Sequence, residues 1–318
     1  MTRDMTATGE FARDMNYIGD RITATPGVSA DPLDPSATDG RLNVPTWPVE
    51  PGRYRLAAAA ACPWANRSLI VRKLLGLEDV ISVALAGPTH DERSWRFDLD
   101  PGGVDPVLGI ERLQQAYFAR DPAYSRGITV PAIVDVLSGS VVTNDFPWIT
   151  HDLFFEWRDF HKADAPNLWP TGLRGEMEQV MRRVFTEVNN GVYRAGFAAT
   201  QQAYRDAYDR LWAAMDWLDD RLKDRTHLMG ERLTEADVRL FTTLARFDVV
   251  YHGLFKCNRR LLSEMPNLWR YARHLYAMPE FGSTIDFDQI KTHYYQVIRA
   301  LNPNGIVPAG PDTSVWTA

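Results

Sequence analysis

The sequence predicts a small α/β domain followed by an all-helical one. Three observations carry that prediction. An apolar run from Tyr54 to Ala61 breaks at Cys62-Pro63 and passes at once into helical periodicity over about 63–75. A second strand-like run, DVISVALA at 79–86, follows, so the opening reads strand–helix–strand, a parallel pair joined by a crossover. After Asp145 the strand signals stop and long stretches of helical period take over.

Taken in order, residues 1–50 read as an irregular N-terminal extension, because TPGVSADPLDPSATDG is rich in Pro, Gly, Asp and Ser and poor in apolar side chains. Residues 51–150 make up the α/β domain. Its run at 54–61 suits a buried strand, although alanine is a poor strand former. Residues 87–127 are loop-rich, broken by PGG and DP, with a short helix expected at about 110–119; so long a connection in a compact domain is often functional. GITVPAIVDVLSGSVVTND then predicts two short strands that turn at Ser138-Gly139.

Residues 165–318 read as a helical domain with a C-terminal extension. RGEMEQVMRRVFTEVNNGV, QAYRDAYDRLWAAMDWLDDRLK and TEADVRLFTTLARFDVVYHGLF all repeat with helical period. In the second, Leu211, Met215, Leu218 and Leu222 share one face. The third opens on Thr234 with Asp237 three residues on, the spacing of a capping box.

Composition narrows the function. A chain of 318 residues with 45% apolar and 24% charged residues is ordinary for a globular protein of about two domains. A net charge of −6 without any basic block argues against nucleic acid. No stretch approaches the ~20 apolar residues of a membrane span, and the charged N-terminus lacks the apolar core of a signal peptide. The expectation is a cytoplasmic protein. His151, His161, His252, His274 and His293 show no paired-ligand spacing, so no metal is expected, and no phosphate-cradling glycine loop supports a nucleotide.

Only two cysteines occur, Cys62 and Cys257, far apart, so no disulfide framework is implied. Pro63 suits a first helical turn, which puts Cys62 at the N-terminal edge of the helix, facing unpaired N–H groups and the positive end of the dipole. Such a position lowers a thiol pKa from ~8.5 to as little as ~3.5–7.5. The competing reading is a buried, inert thiol. In Cys-Pro-Trp-Ala, Ala65 stands where a dithiol oxidoreductase has its resolving cysteine, so the motif predicts one-cysteine exchange with an external small thiol.

ACPWANRSLIVRKLLGLE, WRFD, TVP, NNGVYRAGFAATQQAY, LTEADVRLFTTLARFDVVYHGLFKCNRRLL, PNLW, FDQIKTHYY and NPNGIVPAGP, in this order, resemble the glutathionyl-hydroquinone reductases, the Xi class of glutathione transferases. The resemblance runs from about residue 50 to 311. It implies a thioredoxin-like thiol-binding domain, a helical substrate-binding domain and a homodimer, with no tightly bound cofactor and glutathione as co-substrate. It implies removal of a small thiol from aromatic thioethers through a mixed disulfide on Cys62. Carried over by motif, Trp95 packs on the thiol, Val130 pairs its backbone with the peptide part of glutathione ahead of a cis-Pro131, and Tyr193, Tyr251 and Tyr294 line the aromatic pocket. For any one of these tyrosines, simple packing in a helical core is the competing explanation.

The chain departs from the family at the thiol anchor. The usual Glu-Ser is Asp145-Phe146, which keeps an acid and loses a hydroxyl; the usual Gly-Arg before TVP is Arg126-Gly127. Two changes at one anchor point to another low-molecular-weight thiol, with mycothiol the candidate. An Omega-like thioltransferase or dehydroascorbate reductase, and a non-catalytic ligand-binding protein on the same scaffold, are the alternatives.

Overall fold

The computed structural model describes residues 4–24 and 44–317; TPGVSADPLDPSATDG lies outside the described residues. The chain divides into two units, one of residues 16–24 and 44–165, the other of residues 4–15 with 166–317.

The chain opens with very short strands where the sequence suggests irregular structure. β1 (Asp4–Met5) and β2 (Phe11–Ala12) pair antiparallel and belong to the second unit. β3 (Arg21–Thr23) pairs in parallel with β4 (Thr46–Pro48) in the first. Strands of two or three residues are too short for alternation to register in a sequence. β3 is anchored by Arg21, whose buried guanidinium is ion-paired with Asp152 and lies 3.7 Å from the Trp148 ring centroid.

The first unit continues through β5 (Tyr54–Ala59), α1 (Pro63–Leu74), β6 (Ile81–Ala86), α2 (Leu113–Arg120), β7 (Ala132–Asp135), β8 (Val141–Thr143) and α3 (Phe146–Phe155). The sheet order is β6-β5-β7-β8. β5 is parallel to β6, as the strand–helix–strand reading requires, and antiparallel to β7. Every β5 residue is buried, which explains a continuous apolar run in place of alternation. Pairing with β6 along Ala57–Ala59, and with β7 as well at Ala57, offsets their weak strand preference. The hairpin turns at Gly139, whose φ of +68° suits glycine, while Asp135 Oδ2 accepts from the Ser138 N–H and hydroxyl. The long connection after β6 is tied to β5 by the buried pair Arg55–Asp105 at 2.6 Å. Asp105 Oδ1 also accepts from the N–H groups of Val107 and Leu108.

The second unit contains α4 (Arg174–Arg183), α5 (Gly191–Gly196), α6 (Gln201–Arg221), α7 (Glu235–Arg246), α8 (Pro266–Tyr276), α9 (Pro279–Gly282) and α10 (Phe287–Val297). Leu211, Met215, Leu218 and Leu222 are all fully buried. The capping box forms: Thr234 N–H donates to Asp237 Oδ2 at 2.8 Å, and the Thr234 side chain accepts from the Asp237 backbone. Two stretches that read as continuous helix do not stay α-helical. α4 passes into a π-helical turn at Val184–Asn189, and α7 into another at Phe247–Tyr251. A π-turn inserts one residue without changing residue chemistry, so apolar period alone does not reveal it. Among the described residues, no helix is long and apolar enough to cross a membrane.

Candidate functional site

In the first unit Cys62 sits at the N-cap of α1, with extended backbone and Pro63 at the first helical position. Its half-buried Sγ accepts from the Ala65 N–H at 3.5 Å and lies 3.4 Å from the Val130 carbonyl oxygen, within reach of an S–H donor. A helix start offers exposed N–H groups and positive potential, both of which favour a thiolate over a thiol. Val130–Pro131 is a cis peptide bond. The segment before it is pinned at Thr129, whose carbonyl accepts from the Tyr117 hydroxyl at 2.8 Å and whose Oγ1 accepts from Asn144 Nδ2 at 2.8 Å. Asn144 in turn accepts from the Ile18 N–H, so α2, the residue after β8 and the N-terminal chain fix the loop together.

The other thiol-site candidates fall at different depths. Trp95 is buried, with its ring centroid 4.8 Å from that of His90. Arg126 is exposed on the loop before Thr129. Asp145 is buried at the N-cap of α3, its N–H donating to Thr143 Oγ1. Phe146, the first residue of α3, is buried against Trp64 at 4.6 Å and Tyr17 at 5.6 Å. The Arg67 guanidinium lies 4.7 Å from the Trp64 ring and 5.6 Å from Phe146. Sequence reasoning missed this aromatic–cation cluster, although Trp64 stands inside the quoted motif and Arg67 one turn further on.

In the second unit the three tyrosines converge. Tyr294 lies between the other two, its hydroxyl 2.6 Å from that of Tyr193 and 3.1 Å from that of Tyr251. Tyr193 comes from α5, just after the first π-turn; Tyr251 ends the second; Tyr294 comes from α10. Asn189 closes the first π-turn by donating to the Arg239 carbonyl and Thr243 Oγ1 on α7. Phe255 lies beneath all three rings at 5.3–5.8 Å. It reaches them past Gly196, where a Cβ would stand 2.3 Å from Phe255 Cγ. Burial drives the phenols of Tyr251 and Tyr294 well above their usual titration range, so both stay neutral donors.

Phe11 stacks at 6.1 Å from Tyr193, and the Arg13 guanidinium lies 4.9 Å from the same ring. No sequence signal pointed to either residue. Cys257 is fully buried, and burial pushes its thiol well up. A groove of about 730 Å³ on this unit is lined by α8 and Trp316 and includes none of the three tyrosines. Among the described residues, no group of His, Cys, Asp and Glu is arranged to hold a metal ion.

Residues 61–153 match the family model described as glutathione S-transferase, N-terminal domain, and residues 201–274 match glutathione S-transferase, C-terminal domain. The glutathionyl-hydroquinone reductase PcpF of Sphingobium chlorophenolicum is 42% identical over 266 residues, 82% of this chain and 84% of the relative. The chain belongs to the Xi-class glutathione transferases. Crystal structures agree. A glutathione transferase from Gordonia bronchialis superposes with a TM-score of 0.87 at 59% identity, covering 95% of this chain and 89% of its own. The glutathione S-transferase Xi from Phanerochaete chrysosporium gives 0.80 at 38% identity, covering 88% and 94%. The thioredoxin-like first unit and helical second unit are those of the family.

Proposed function

We propose that this protein is a thiol-dependent reductase of thiol-conjugated hydroquinones, with Cys62 as nucleophile. The observation that carries the reading is the Cys62 Sγ at the start of α1, accepting the Ala65 N–H, in a chain 42% identical to a named glutathionyl-hydroquinone reductase. In the first step the Cys62 thiolate attacks the thioether sulfur. The Sγ–S bond forms as the S–C(aryl) bond breaks. The sulfur-bearing ring carbon first takes up a proton as the neighbouring hydroxyl loses one, giving the keto tautomer, so that the S–C pair departs into the ring π system and onto that oxygen as the hydroquinone forms. In the second step a free thiolate attacks the mixed disulfide, releases the symmetric disulfide and restores Cys62. Ala65 offers no local second thiol, and Cys257, buried with its thiol pushed up, is a poor substitute.

In this reading Trp95 packs on the bound thiol and the Val130 backbone, beside cis-Pro131, pairs with its peptide part. Asp145 and Arg126 contribute charge to its polar end. Tyr193, Tyr251 and Tyr294 donate to the hydroquinone oxygens, where a donor helps most in a dry environment. The protein works as a cytoplasmic homodimer, and its co-substrate is glutathione or a related small thiol. Phe146 favours the latter: its ring is packed by Trp64 and Tyr17 where the family pattern carries a hydroxyl, so the polar end of the thiol meets an apolar wall.

The test is single-turnover reaction with hydroquinone thioethers of glutathione and of mycothiol, with mass spectrometry of the trapped protein. The expected result is one thiol adduct, on Cys62, and release of free hydroquinone. An adduct on Cys257, or reduction of mixed disulfides alone, would overturn the reading.

A further inference from the structure

The Arg13 guanidinium stands 4.9 Å from the Tyr193 ring centroid and 5.5 Å from that of Phe11. It is oriented by Asn190, whose Oδ1 accepts from Arg13 Nε at 2.7 Å. Asn190 is itself buried at the N-terminal edge of α5, the helix that carries Tyr193. The contact joins the start of the chain to its centre. β1 and β2 form a small hairpin, and the Ala199 N–H donates to the Gly9 carbonyl at 3.0 Å, so the hairpin is bonded to the chain leaving α5.

From this geometry we infer that Arg13 is a positioning residue for the tyrosine trio, setting the orientation and hydrogen-bond strength of the Tyr193 hydroxyl. A cation over a phenol ring draws electron density toward the face and makes the O–H a better donor. The Tyr193 hydroxyl is joined to Tyr294 and through it to Tyr251, so a change at one end of the chain of hydroxyls reaches the others. Arg246 also carries positive charge toward Tyr251 and Tyr294, and the His293 ring lies 5.4 Å from that of Tyr294. Neither comes from the N-terminal hairpin. Arg13 thus supplies the positive charge that the N-terminal hairpin brings to Tyr193, beside the apolar contact of Phe11. This inference rests on the proposed role of the tyrosines in thioether reduction.

The test is steady-state kinetics of Arg13→Met, Arg13→Lys, Tyr193→Phe and the double variant, each assayed on a hydroquinone thioether and on an aliphatic mixed disulfide. Arg13→Met is expected to lower the thioether-to-disulfide turnover ratio roughly three- to thirtyfold, the kinetic equivalent of one cation–π contact, with the change in kcat rather than KM. Arg13→Lys, which keeps the cation, is expected to recover most of it. In the Tyr193→Phe background Arg13→Met is expected to add nothing, because no hydroxyl remains to be polarised. An undiminished loss in that background, or no rescue by lysine, would show that Arg13 merely holds the hairpin in place and would overturn the inference. So would an unchanged ratio in Arg13→Met when Tyr193→Phe is slow. A fast Tyr193→Phe enzyme would instead overturn the tyrosine reading itself.

Discussion

Replacing Tyr294 by phenylalanine removes one oxygen and two hydrogen bonds, because its hydroxyl pairs with Tyr193 at 2.6 Å and with Tyr251 at 3.1 Å. At ~0.5–1.5 kcal/mol net for each bond, the variant is expected to lose about 1–3 kcal/mol of stability. Tyr251 is fully buried, so its hydroxyl loses a partner where no water compensates, which places the cost toward the upper end. For a unit of this size that is a fall in melting temperature of about 2–12 °C. Tyr193→Phe breaks the bond to Tyr294 but leaves the Tyr294–Tyr251 bond in place, and is expected to cost less. Kinetically, Tyr294→Phe is expected to slow thioether reduction more than tenfold, about 1.4 kcal/mol in the barrier. Reduction of an aliphatic mixed disulfide, whose leaving thiolate needs no phenolic donor, should change little. Differential scanning calorimetry and the paired substrate assay supply both readouts. If Tyr193→Phe destabilises more than Tyr294→Phe, the central place of Tyr294 is wrong. Equal losses on both substrates would reduce the trio to packing.

Cys62→Ser should abolish turnover with the melting temperature nearly unchanged, since a hydroxyl is a far weaker nucleophile toward sulfur; residual activity above background would refute the assignment. Cys257→Ser should retain near-normal turnover, and a loss equal to that of Cys62→Ser would sink the one-cysteine mechanism. Phe146→Ser should tighten glutathione up to about tenfold in calorimetry, the value of one restored hydrogen bond; wild-type affinity already matching that of other family members would remove the case for a different thiol. Gly196→Ala should destabilise by about 1–3 kcal/mol, because its Cβ would stand 2.3 Å from Phe255 Cγ, and a neutral melting curve would show that Phe255 can move aside freely.

Features set by neighbours in sequence were the legible ones in both units. A strand broken at Cys62-Pro63, a turn at Gly139 and a cap at Thr234 are set by local chemistry that neighbours in sequence share, and all three appear where the residues require them. The bond from Ala65 N–H to the Cys62 Sγ is of the same kind. What the sequence hid depends on residues far apart. The Trp64–Phe146 pair and the meeting of Tyr193, Tyr251 and Tyr294 are tertiary. Family motifs singled out the tyrosines but carried no information on which hydroxyl lies in the middle. The π-turns at Val184–Asn189 and Phe247–Tyr251 leave composition and apolar spacing almost untouched, so continuous helix was the natural reading. Arg13 lies in a charged stretch with weak apolar content, where nothing marks one arginine from another.

The placement of residues 4–15 has a consequence for biosynthesis. They are synthesised before residues 16–165, yet they pack with residues 166–317, which are synthesised after them. Arg13 finds Asn190 across 177 positions, and the Thr8 carbonyl accepts the Thr200 hydroxyl across 192. The thioredoxin-like unit can be completed before residues 166–317 are made, whereas the helical unit must hold its opening strand in reserve until they have emerged. Such late closure of distant contacts is slow relative to local helix formation.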